Sequence, residues 1–258
     1  MPATAADLEP EGPRGRLRQG TALALGCLLI GALARAAAPE WRDLESRIQY
    51  GYYTEDATSL RNLAQGLAAD ESHDPLSSYY AALLDWRRAQ LTPSGAASLA
   101  HHCVSELDAA LEKDATAAEA LALRAACNAQ PLEEGGLHLP LSSYGVHRDL
   151  SRARDLAPHN PRVLLLGALS DYQLPSSLGG NKERALSGVR AAVIAFDAER
   201  HGTEHVPGWG AAEAYLLLAR CLLDHHDTLG AREALEHALL IAPEFAQARR
   251  LMTKITAG

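Results

Sequence analysis

Between Tyr215 and Pro243, small and large apolar residues recur at helical spacing and stop on a proline. Tyr215, Leu218, Ala219 and Leu222 recur along a first helix, and Ala234, Leu235, Ala238 and Leu239 share one face of a second. Alanine at a crossing point lets two helix axes approach, while leucine on either side fills the space between them. Pro243 cannot donate an amide inside a helix, but it tolerates a turn or a fresh helix start. The second helix is therefore wedged between two neighbours, with a last helix expected over 244–256. Aromatics make up only 5% of the chain, and runs of β-branched residues are missing, so a sheet is not expected.

The order Tyr215, Leu218-Ala219, Leu222, Ala231, Leu235, Ala238, Pro243 resembles the tetratricopeptide repeat (TPR), a pair of antiparallel helices about 34 residues long. Tyr215 stands where that family has Trp, Ala219 where it has Gly, Leu222 where it has Tyr and Leu235 where it has Phe. The intervals are kept. Weaker copies place Ala110, Ala153 and Ala192 where Ala238 stands, at spacings longer than the family's own. The extra residues, rich in Pro and Gly, fall in 92–98, 131–143, 175–181 and 200–210, and are expected between the first and second helix of a pair.

The resemblance implies an all-α, right-handed superhelix of stacked helix pairs with enlarged intra-repeat loops. Helices are expected at 41–49, 56–69, 75–90, 97–113, 117–129, 145–157, 161–173, 182–199, 211–224, 228–241 and 244–256.

The N-terminus is written differently. Arg14, Arg16 and Arg18 precede an apolar run over 21–34, and Ala34 and Ala36 supply a small-x-small site. Residues 1–36 are read as a secretory signal, or a retained anchor, and 37–258 as the helical-repeat body. The apolar run is short of the ~20 residues a membrane span needs, and Cys27 is read as part of the leader's core. Membrane contact is expected only through this segment, if it is uncleaved. A periplasmic or secreted location follows. The formal net charge of −8, with no basic tract, argues against nucleic-acid binding.

In the resembled family the first helix of each pair lines the concave face. Carried over, that face holds Glu119, Ala122 and Ala126, then Arg162, Leu165, Leu169 and Tyr172, then Glu213, Leu216, Arg220 and Leu223. Arginines among apolar residues suit an extended peptide or a carboxylate. Seven early aromatics (Trp41, Tyr50, Tyr52, Tyr53, Tyr79, Tyr80, Trp86) are read as a cap on the N-terminal end, with hydroxyls reaching water. The alternative is a stacking platform.

Other patterns point to no chemistry. Asp224-His225-His226-Asp227, and His201 and His205 beside Glu204, lack the converging set a zinc ion needs, so no metal is expected. Gly179-Gly180-Asn181-Lys182 lacks the phosphate-loop pattern and reads as a turn with Asn181 capping the next helix. No nucleophile motif is present, and no cofactor is expected.

The functional expectation is a non-catalytic, exported scaffold binding a protein or peptide partner in the cell envelope. The alternative is a solute-binding accessory protein that encloses a small ligand in the concave groove. Three cysteines remain after the leader. Cys103 and Cys127 stand equally far from Ala115, the position of the turn proline, so in antiparallel helices they lie level. They are expected to form a disulfide and to leave Cys221 unpaired; the alternative is three small buried thiols packing as core residues.

Overall fold

The structure, a computed structural model, describes residues 41–68, 75–92, 94–133, 139–200 and 207–257. The expected leader and His201, Glu204 and His205 lie outside the described residues.

All regular structure among the described residues is helical. Helix α1 covers 41–53, followed by α2 (Ala57–Ala68), α3 (Pro75–Leu91), α4 (Ala96–Lys113), α5 (Ala118–Glu133) and α6 (Leu139–Leu156). Then come α7 (Pro161–Gln173), a 3₁₀ turn (Ser176–Leu178), α8 (Lys182–Arg200), α9 (Ala211–Asp224), α10 (Thr228–Ile241) and α11 (Ala246–Thr256). The helices pack as consecutive pairs, α3 with α4, α5 with α6, α7 with α8 and α9 with α10, and α11 covers α10. The first helices touch in sequence, α3 on α5, α5 on α7 and α7 on α9. They form one inner row.

Local chemistry explains the boundaries. Asn160 caps α7, its side chain accepting from the amides of Arg162 and Val163, and Pro161 occupies the first turn where no partner amide is needed. Asp227 caps α10 through the Gly230 amide, and Asn181 caps α8 through the Arg184 amide, as the turn reading requires. Gly210 precedes α9 at φ 116, and a Cβ there would lie 2.7 Å from Phe196 Cζ. Only glycine fits that junction.

The crossing residues behave as their size demands. Ala219, Ala231 and Ala238 are fully buried, and Leu235 fills the space beside them. Two expectations need correction. Of the four enlarged segments, 200–210 joins α8 to α9 and so lies between pairs, not within one. Much of 131–143 is helical: α5 runs to Glu133 and α6 begins at Leu139, with Pro140 in the first turn, where a missing amide costs nothing.

Cys103 on α4 and Cys127 on α5 are joined by a disulfide, with Cα atoms 6.2 Å apart. Cys221 is a buried free thiol, which burial pushes up to about 11.

Helix α1 governs the shape of the inner side. It crosses the inner row and touches the last elements of the chain. Trp41 stacks on Tyr80 of α3 at 5.4 Å, and Tyr53 meets Phe245, just ahead of α11, at 4.5 Å. Just beyond α1, Glu55 receives Arg250 of α11 at 2.7 Å. The first described helix thus bridges the two ends of the repeat array.

Candidate functional site

Two clusters occupy the inner side. The first is a charged lock. Arg162, the second residue of α7, is only 2% exposed. Its Nη1 donates to Glu199 Oε2 at 3.0 Å and to the Trp209 carbonyl at 3.3 Å, and its Nε lies 2.9 Å from Glu119 Oε1. Asn160 Nδ2 donates to the same Glu119 oxygen at 2.6 Å. Burial pulls the Arg162 pKa down, but the Glu199 hydrogen bond and the Glu119 charge outweigh it, so the cation is held. Nearby, Glu45 of α1 accepts from Tyr80 at 2.7 Å and from the Gly208 amide at 3.0 Å. Burial raises its pKa above 4.5 even so.

These contacts revise two expectations. The carried-over stripe turns Arg162 and Glu119 towards a ligand, yet Arg162 is bonded beneath the surface to Glu199 and the Trp209 carbonyl, with Glu119 as a second counter-charge. Both sit in the first turn of their helices, where neighbouring inner helices meet and a buried charge needs a partner at once.

The second cluster surrounds a cavity of ≈ 440 Å³. Five of the expected stripe residues line it: Leu165 and Leu169 from α7, and Glu213, Leu216 and Arg220 from α9. Tyr172 and Leu223 do not. Tyr172 lies under the Lys182 ammonium, 3.3 Å from its ring centroid, and Lys182 reaches Asp224 at 3.3 Å. Leu223 packs against the core, and Ala122 is fully buried.

Most of the remaining wall comes from elements outside the expected stripe: Tyr52 of α1, Trp86, Arg87 and Gln90 of α3, Trp209, and Gln247 of α11. Gln130 and Gln173 add two further amides from the ends of α5 and α7. Arg87 is the centre of the arrangement and is 1% exposed. It pairs with Glu213, and its guanidinium lies 4.0 Å from the Tyr52 ring centroid, 4.6 Å from Trp86 and 5.0 Å from Trp209. Glu213 is fully engaged. Its Oε1 takes Arg87 and Gln49 Nε2 (2.9 Å), and its Oε2 takes the Tyr53 hydroxyl at 2.8 Å.

The early aromatics accordingly do not cap an open end. Tyr52, Tyr53, Tyr79, Tyr80 and Trp86 are buried on the inner side, and their hydroxyls meet protein partners. Tyr50, by contrast, is exposed. Burial lifts the Tyr53 hydroxyl well above 10.0, and the Glu213 charge beside it adds to the effect, so it stays protonated and donates.

A signal for the missed wall did exist. Leu83, Trp86 and Gln90 repeat the 3-4 spacing with which the stripes on α7 and α9 begin. Carrying the stripe one pair further would have reached Trp86 and Gln90, and with them their neighbour Arg87. Nothing local marks Tyr52 or Gln247, which arrive only because α1 and α11 meet.

Among the described residues no group of three or more His, Cys, Asp or Glu could hold a metal ion, and no helix is long and apolar enough to cross a membrane.

No protein-family model and no curated protein sequence matches the chain. Solved structures do. The HusA haemophore from Porphyromonas gingivalis is similar at TM-score 0.59 and 24% identity, over 71% of this chain and 92% of that one. A thermophilic TPR protein of Thermus thermophilus is similar at TM-score 0.52 and 14% identity, over 78% of this chain and 89% of that one. At these identities the likeness speaks for the fold, and together with the paired helices it makes this chain an all-α solenoid of TPR-like helix pairs.

Proposed function

We propose that the chain is an exported, non-catalytic binding protein that holds a small solute in the cavity between α1, α3, α7, α9 and α11. One observation carries this reading. Helix α1 lies across the inner row, tied to α3, α9 and α11, and what remains is a cavity of ≈ 440 Å³. Small-molecule sites fall in a range of about 300–1,000 Å³. An extended peptide along the concave face would first have to displace α1 and break the Gln49 and Tyr53 bonds to Glu213. The geometry therefore favours a solute over a peptide groove.

Export rests on the leader read in residues 1–36, and N-terminal sequencing of protein from its native cells should begin near Ala37. The HusA haemophore is by its name a haem carrier, but that cargo is not transferred here. The described residues lining the cavity include no His, Met or Cys to ligate iron, and burial raises the Tyr52 pKa, which disfavours a phenolate ligand.

Native mass spectrometry of protein purified from its own cells tests the reading. A bound mass should appear and should be lost in Leu169→Trp, which fills the cavity from a half-buried wall position. A bare protein mass in the parent would defeat it. A second reading, a protein partner on the outside, draws on Leu229 and Leu240 of α10, 69% and 78% exposed and about three turns apart on one face. Loss of a co-purifying protein in Leu240→Glu, with the cavity ligand retained, would favour it.

A further inference from the structure

We propose that the cavity takes a monocarboxylate with a flat apolar body and no ammonium group. This rests on the reading of the cavity as a solute site, and deepens it by naming the ligand class.

The charged groups in the wall are Arg87, Glu213 and Arg220. Arg87 and Glu213 neutralise each other. Arg220 is left with one contact, the Gln247 side-chain oxygen at 3.0 Å, and no carboxylate lies within ion-pair distance of it among the described residues. A guanidinium offers five donors in a planar fork, so most of those of Arg220 remain to be met. Arg87 adds no open donor, because it is 1% exposed and its Nη2 is held by Gln49 and Glu213. Arg220 is therefore the cation of the wall, among the described residues, that lacks a counter-charge, and it selects for an anion.

The same wall discriminates against an ammonium. Glu213 is the wall's single carboxylate among the described residues, and both its oxygens are occupied by Arg87, Gln49 and Tyr53. A zwitterionic amino acid would bring a cation with no counter-charge to meet it. The rest of the wall sets the body of the ligand. Trp86, Trp209, Leu165, Leu169 and Leu216 present apolar surface. The Trp209 indole N–H is already donated to the Tyr79 hydroxyl at 2.9 Å, so Trp209 offers its ring and not its donor.

Calorimetric titration with three matched probes tests the class: 3-phenylpropionate, its neutral amide 3-phenylpropionamide, and phenylalanine. Each is titrated into the parent protein and into Arg220→Gln. The acid should bind at least about tenfold tighter than the amide or phenylalanine. Arg220→Gln should abolish that preference while leaving the helical circular dichroism unchanged.

Equal binding of acid and amide would overturn the anion assignment and leave the solute reading standing. Equal binding of phenylalanine and the acid would overturn the exclusion of an ammonium. If none of the three binds at about 10 mM, the proposed class falls. The native mass measurement then tells whether the solute reading falls with it.

Discussion

Glu213→Leu is the most informative single change. Glu213 binds Arg87 of α3 and Gln49 and Tyr53 of α1, so three side chains from two other helices converge on one carboxylate. The Arg87 side chain is 1% exposed and that of Glu213 11%, so little solvent screens the pair. Removing one partner of such a pair typically costs about 3–5 kcal/mol, because the other charge stays buried without compensation. The Tyr53 and Gln49 donors also lose an acceptor, at about 1–3 kcal/mol each if nothing replaces it. In the other direction, the rings of Tyr52, Trp86 and Trp209 hold the guanidinium by cation–π attraction worth up to about 2 kcal/mol.

Gln49 Nε2 keeps the Tyr53 oxygen as an acceptor at 3.0 Å, so the orphaned charge and one unmet donor, less the cation–π attraction, place the expected loss near 4 kcal/mol, a large part of the roughly 5–15 kcal/mol that holds a domain together. Urea unfolding followed by circular dichroism measures it, and the melting temperature should fall by about 8–16 °C. The double variant Arg87→Met/Glu213→Leu should recover more than half of the loss, since it removes the orphaned charge. Hydrogen exchange over 41–53 should accelerate in the single variant, because α1 is released from α9. A cost below about 1 kcal/mol, or a double variant no better than the single, would refute the view of this pair as the buried clasp of α1.

Other expectations follow from the same contacts. Cys103→Ser/Cys127→Ser should lose about 3 kcal/mol of stability, as expected for a closed loop of this length, and the denatured, unreduced parent should alkylate at one thiol of the mature chain. Glu45 binds its proton more tightly folded than unfolded, so stability should decline as pH rises from 4.5 through its raised value. Glu45→Gln should flatten that decline in urea midpoints taken up to about pH 7, and an unchanged slope would place the titrating group elsewhere. Gly180→Ala should destabilise by about 2 kcal/mol or more, because a Cβ there falls 1.8 Å from the Leu174 carbonyl oxygen and the turn must open. A neutral result in thermal melts would contradict that packing.

Much of the fold is legible because its causes are local. Ala219, Ala231 and Ala238 announce close helix crossings by size alone, Asn160-Pro161 announces a helix start, and level counting about Ala115 brings Cys103 to Cys127. The site is a different matter. Arg162 and Arg220 look alike in the chain, each an arginine among leucines on a first helix. Their fates differ by depth along the helix. Arg162 sits in the first turn of α7, where Glu119 in the first turn of α5 and Glu199 near the end of α8 reach it. Arg220 lies two turns beyond Glu213, past the reach of any such end-to-end meeting, and faces the cavity with one amide for company.

The acid on Arg220's own helix is also taken. Glu213 is held by Arg87 of α3 and by Gln49 and Tyr53 of α1, through contacts joining residues more than a hundred positions apart. No periodicity encodes such pairings, because each partner is an ordinary half-apolar helix position until the other arrives. A repeat pattern specifies how neighbours stack, and so it predicts an open concave face. Whether that face stays open depends on a segment outside the repeat pattern, and here that segment narrows the concave face to a cavity with Arg220 in its wall.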